Sequence, residues 1–167
     1  MPPKSNGSPD DDEFTQKAPS KGVHVYAKSA ALSVEPYRGD PSSIVWDIAP
    51  ANDGRYDWSK KVSIKLDTGE QMRVIAVLSG VVNEAVFIHG KGDGAKRLSI
   101  EAQQGSYYVQ FSAHKGYALP VGALDAGVVV LALATAICER FPKLSSADVL
   151  SVVRMSLRDL QRSGERQ

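Results

Sequence analysis

The chain has 167 residues, 43% of them hydrophobic and 23% charged, with a formal net charge of +1. That composition is ordinary for one soluble globular domain, and near-neutrality means that any attraction to a polyanion must come from how the charge is distributed. The single cysteine, Cys138, excludes an intramolecular disulfide and a cysteine-based metal cluster, and inside "ATAIC" it reads as a buried thiol.

Residues 1–22 hold "SPDDDE" among Pro, Ser, Gly and Lys, without hydrophobic periodicity, and read as a disordered acidic tail. The segment lacks the apolar core of a secretory signal and the arginines of a transit peptide, so a soluble, cytoplasmic protein is expected. Ordered sequence begins near Val23. "VHVYAK" and "AALSVEP" are strands, followed by the turn-rich "YRGDPSS". "IVWDIAP" puts Ile44, Trp46 and Ile48 on one face, and Trp46 reads as core. "NDGRYDW" is a loop. "KKVSIKL" then points Val62, Ile64 and Leu66 inward and Lys61, Ser63 and Lys65 outward. The period changes in "DTGEQMRVIAVLSG", where Met72, Ile75, Val77 and Leu78 predict a short helix stopped at Gly80.

The second half repeats that order. "EAVFIHG", "RLSIEAQ", "SYYVQFSA" and "YALPVG" are strands, with "GKGDGAK" as a Gly-rich hairpin loop. A helix of about twenty residues follows over "ALDAGVVVLALATAICERF", halted before Pro142. Its run 126–138 is too short for the roughly 20 residues that span a bilayer. Being apolar nearly all round, it predicts burial on several sides and hence an oligomer. A last amphipathic helix starts at Ser145, with Asp148 completing a capping box and Leu150, Val153 and Leu157 on one face. Residues 163–167 read as a second disordered tail, which leaves 23–162 as the folded domain. "AALSVEP" is echoed by "RLSIEA", and this internal repeat predicts an α+β fold made of a duplicated four-strand-plus-helix unit.

Enzymatic constellations are thin in the sequence. His24, His89 and His114 are scattered without metal-ligand spacing, and "GKGDGAK" departs from the P-loop pattern because a strand follows it. No catalytic residue, metal or cofactor is expected. The positive signal is basic side chains interleaved with aromatics: Tyr26 and Lys28 on the first strand, Tyr56, Trp58, Lys60 and Lys61 in "RYDWSKK", then Lys65, Lys96, Arg97 and Tyr108. Single-strand binding without sequence preference needs cations for phosphates and flat rings on which bases stack. On the residues alone, Lys61, Ser63 and Lys65 equally read as a solvated strand face, and Tyr107 as core beside Val109 and Phe111. Trp58 lies in a loop polar on both sides, which leaves a packed ring and an exposed functional one both open.

"AKSAALSVEP", "RYDWSKK" and "KRLSIEAQQGSYYVQFSA", in that order and spacing, resemble the Whirly family of single-stranded-DNA-binding proteins over roughly residues 23–141. The resemblance implies two antiparallel four-stranded sheets packed roughly perpendicular, with C-terminal helices holding a homotetramer. It also implies single-stranded DNA lying along the sheets and between subunits. A transcriptional-coactivator family resembles one half of the chain, and mitochondrial guide-RNA-binding proteins have a similar overall fold. The family's KGKAAL motif reads Ala27-Lys28-Ser29 before "AAL" here; its second Lys, associated with assembly of tetramers into larger bodies, is Ser29. The plant members carry transit peptides, and without one a bacterial or phage setting fits.

The expectation is therefore a non-enzymatic, homotetrameric single-stranded-DNA-binding protein acting in replication, recombination or repair. Its rivals are an RNA-binding protein on the same fold and a transcriptional cofactor whose acidic tail recruits a protein partner. No membrane partner is expected.

Overall fold

The computed structural model describes residues 22–164, with side chains through Ser156. The tails expected over 1–22 and 163–167 fall outside the described residues, apart from Gly22 and the last helical residues to Gly164. The first sheet comprises β1 (Val23–Tyr26), β2 (Ala30–Tyr37), β3 (Asp40–Asn52) and β5 (Val62–Leu66), paired antiparallel in the order β1-β2-β3-β5. A two-residue strand, β4 (Arg55–Tyr56), pairs with the far end of β3. It was not anticipated from sequence, because two residues carry no period. The turn between β3 and β4 places Asp53 and Gly54 both at positive φ, 49° and 78°, as a tight hairpin turn requires. Helix α1 (Thr68–Leu78) follows β5. The second sheet, β6 (Glu84–His89), β7 (Lys96–Gln103), β8 (Ser106–Ser112) and β9 (Gly116–Gly122), is a simple antiparallel meander. Helices α2 (Ala123–Arg140) and α3 (Ser146–Gly164) close the chain.

The echo marks equivalent places. Leu32 and Val34 lie on β2, Leu98 and Ile100 on β7, each the second strand of its sheet, and all four are essentially inaccessible to solvent. On β7 their alternation with Ser99 and Glu101 follows from a strand with one face on the core, whereas on β2 the alternating Ser33 is buried as well. Core-facing residues of both sheets, including Trp46, Ile48, Ile64 and Phe111, form one cluster with α1 and α2.

Helix α1 is fixed at both ends. Asp67 and Glu70 form a reciprocal capping box, Glu70 N donating to Asp67 Oδ1 at 2.8 Å and Asp67 N to Glu70 Oε2 at 3.0 Å. The buried Gln71 amide donates to the carbonyls of Ser42 and Leu66, and the Tyr107 hydroxyl to that of Leu78. Tyr107 is thus half-buried and packed on the core. The α3 start has the expected box, with Ser145 N to Asp148 Oδ2 at 2.8 Å and Asp148 N to Ser145 Oγ at 3.2 Å. Val153 is buried and Leu150 packs on the core, whereas the Leu157 side chain lies outside the described residues.

Among the described residues, helix α2 is buried along one face within this chain, by way of Ala126, Val129, Val130, Leu133, Ala134, Ala136 and Ile137. Leu124 is 89% exposed, and Val128 and Leu131 share its open side.

Candidate nucleic-acid interface

On the first sheet, alternation turns a second set of residues away from the core. In cross-strand register they form three rows: Tyr26-Ala31-Ala49, His24-Ser33-Asp47-Ser63 and Glu35-Val45-Lys65. The middle of this face holds Ala31, Ser33, Asp47 and Ala49, all of them buried, and larger groups stand at its margins. At one margin the Tyr26 ring lies 5.3 Å from that of Tyr56 and stacks with His24 at 6.2 Å. The Tyr56 hydroxyl donates to the Ala27 carbonyl, which fixes its ring against the β1–β2 turn. Tyr26 is 60% exposed.

At the other margin the second sheet meets the edge strand β5, and two grooves open along that seam. The larger, about 490 Å³, is lined by Tyr37, Val45, Ser63 and Lys65 of the first sheet and by His89, Gly90, Gly94 and Lys96 of the second. The smaller, about 330 Å³, is lined by Lys60, Lys61, Val62, Lys96, His114, Lys115 and Tyr117. Lys96 belongs to both, and its ammonium donates to the Ser63 carbonyl at 3.0 Å. Five lysines from two sheets thus converge, which concentrates positive potential in a chain of nearly neutral net charge.

Several of these lysines are held in place. Lys65 sits 4.2 Å from the centre of the Tyr37 ring. Lys61 Nζ donates to Asp47 Oδ2 at 2.5 Å. Lys60 pairs with Asp57 at 2.7 Å. The hydrogen bond from Lys60, followed by that from Ser59, lowers the Asp57 carboxyl to about 2. Asp57 also caps a 3₁₀ turn over Trp58–Lys60. His89 Nε2 meets Glu70 Oε1 at 2.7 Å and joins the groove to the α1 cap.

No protein-family model matches this chain, nor does any curated protein. Solved structures do. It superposes on the plant transcriptional regulator PBF-2 with a TM-score of 0.57 at 21% identity, covering 70% of this chain and 80% of that one. WHY1 from Arabidopsis thaliana gives 0.57 at 18% identity, over 70% and 82% of the two chains. The fold is Whirly-like. A guide-RNA-binding protein complex bound to its RNA gives 0.58 at 12% identity, over 74% and 94%.

On this Whirly-like frame the residues singled out from sequence do not all come together. Lys60, Lys61, Lys65 and Lys96 come together at the seam. Tyr26 and Tyr56 come together at the opposite margin of the same face. Trp58 heads the 3₁₀ turn between them, half-buried and outside both grooves. Arg97 and Tyr108 lie elsewhere, on the outward face of the second sheet, with Arg97 paired to Ile88 and Tyr108 to Glu101. Lys28 is not on a strand as expected. β1 ends at Tyr26, and the bond from Ala27 N to Ala30 O closes a turn around Lys28 and Ser29. Ser29, where the Whirly motif has Lys, donates its hydroxyl to the Ala118 carbonyl of β9.

Tyr37, His89, His114, Lys115 and Tyr117 were missed. They join the seam only because the second sheet crosses the β5 edge, a long-range fact without local period. The one available signal was that His89, Lys96 and Lys115 flank hairpin turns.

Proposed function

We propose that this protein binds single-stranded DNA, largely without sequence preference, and acts without catalysis in replication, recombination or repair. The observation that carries the reading is the outward face of the first sheet. Its middle is buried, and the accessible features are the paired tyrosines at one margin and the lysine-lined seam at the other. Bases stack on the rings while lysines neutralise phosphates. Trp58, Lys60 and Lys61 flank that path, whereas Lys28 stands on a turn and Arg97 and Tyr108 on the outward face of the second sheet, where they would make secondary contacts. The open stripe of Leu124, Val128 and Leu131 on α2 supports a homotetramer held through its helices, since an apolar stripe on a helix calls for a partner surface.

The test is a titration of one mixed-sequence oligonucleotide as single-stranded DNA, as duplex and as RNA, with a mass measurement of the free protein. Single-stranded DNA is expected to bind most tightly, to a body of four subunits. Equal or tighter duplex binding would overturn the reading. A second reading, RNA binding on the same fold, draws on the likeness to the guide-RNA-binding complex, and tighter binding of the RNA oligonucleotide would put it first.

A further inference from the structure

We infer that Asp47 is a base-selecting acceptor on the floor of this path, favouring bases that carry an exocyclic amino group. The inference rests on the strand path proposed above. Val45 on β3 and Ser63 on β5 both line the larger groove, and Lys61 lines the smaller. Asp47 is the next outward residue after Val45, pairs in register with Ser63, and holds Lys61. It therefore neighbours lining residues of both grooves while being buried beneath Lys61 and lining neither groove itself.

Its carboxylate is unusual for a floor position. Asp47 is only 6% exposed, Oδ2 accepts from Lys61, and Oδ1 has no hydrogen-bond partner among the described residues. Buried carboxylate oxygens are normally satisfied, and half-satisfied ones mark a strained or functional place. The neighbouring floor residues Ala31, Ser33 and Ala49 show that the sheet packs there without a charge.

Lys61 is the movable part. It is the more exposed partner of the pair and faces the smaller groove, so an arriving phosphate competes for its ammonium. As Lys61 turns toward phosphate, the carboxylate is uncovered and needs another donor. The amino groups of cytosine and adenine supply one on the edge that single strands leave open, the standard partners of an acidic side chain being amino donors such as cytosine N4. Thymine and uracil offer carbonyl oxygens at the same place, which repel the carboxylate. A composition bias is thus laid over otherwise sequence-tolerant binding.

The test compares oligo-dC with oligo-dT of equal length near neutral pH, two pyrimidines whose stacking surfaces are matched. The wild-type protein is expected to bind oligo-dC about tenfold more tightly, within the usual range for one well-made hydrogen-bonded base pairing. In Asp47→Ala the ratio should fall to about one. Affinity for oligo-dT should rise in that variant, because a negative charge has gone and Lys61 is free. Asp47→Asn keeps the side-chain volume and should also narrow the ratio, so the test survives if the alanine variant fails to fold. A wild-type ratio near one, or a ratio unchanged in Asp47→Asn, overturns the inference while leaving the binding reading intact. Failure of every single strand to bind overturns both.

Discussion

Helices α1 and α2 each close a run of antiparallel strands, yet α1 buries Gln71 and every residue from Val74 to Leu78, whereas α2 leaves Leu124, Val128 and Leu131 in the open. The sheets differ in a parallel way. The middle of the outward face of the first holds Ala31, Ser33, Asp47 and Ala49, all buried, while that of the second exposes Ile88, Arg97, Glu101 and Tyr108. The two units share a core pattern and differ on the surfaces that the core does not constrain. Core positions answer to close packing, and outward positions answer to partners.

The largest effect should separate the helices. Ile75→Ala, in the fully buried α1 segment, is expected to lower unfolding free energy by about 2–5 kcal/mol, read from the denaturant midpoint. Leu131→Lys on α2 should leave the circular-dichroism spectrum intact and reduce the measured mass to a smaller species. If Leu131→Lys unfolds the chain at all concentrations, the contrast between the helices disappears.

The sheets should separate next. Tyr26→Ala, at the margin of the first sheet's outward face, is expected to cost about 1–3 kcal/mol of single-strand binding, the usual worth of one stacked ring. Tyr108→Ala, on the other sheet, should cost less. Titration of both variants at one salt concentration ranks them, and the reverse order would move the path to the second sheet.

A smaller change sharpens the role of the seam. Replacing Lys60 and Lys61 together by Met should flatten the dependence of log affinity on log salt by roughly 0.7 for each phosphate left without a neutralising lysine. Both lysines already have carboxylate partners, so a slope that does not change would mean that Asp57 and Asp47 never release them.

The smallest effect concerns acid. The Asp57 carboxyl sits at about 2, below its ordinary 3.8, because Lys60 and then Ser59 donate to its ionised form. A lowered folded-state value means that the contribution is whole above the ordinary value and is lost as the pH falls from there toward 2. Between about pH 5 and 8 the 3₁₀ turn should therefore be indifferent to pH. A carbon-detected NMR titration should place the Asp57 midpoint near 2 in the wild type and nearer 3.8 in Lys60→Met.

What the sequence made legible follows the same division. Strands with one buried face announce themselves by period two, and so β2, β3, β5 and β7 could be placed from Leu32, Trp46, Ile64 and Ile100 and their neighbours. The helices followed from the change of period and from the caps at Gly80 and Ser145. Lys60, Lys61, Lys65 and Lys96 could be picked out as basic residues, but not as neighbours, since the seam depends on how the two sheets cross. Lys28 was misplaced because a backbone bond from Ala27 closes a turn where the strand was expected to continue. Asp47 gave no signal, for an acid alternating with Trp46 and Ile48 looks like any solvated strand residue.

The hydrogen bond from Lys96 to β5 has a bearing on solubility. Among the described residues β5 pairs only with β3, which leaves its other edge able to template a strand from another molecule, the starting point of edge-to-edge aggregation. The Lys96 ammonium already occupies the Ser63 carbonyl on β5, and it brings a charge that an incoming strand would have to desolvate. The lysine shared by both grooves is therefore also a guard on this edge, and the seam that would hold a nucleic acid is the same feature that makes strand addition at β5 costly.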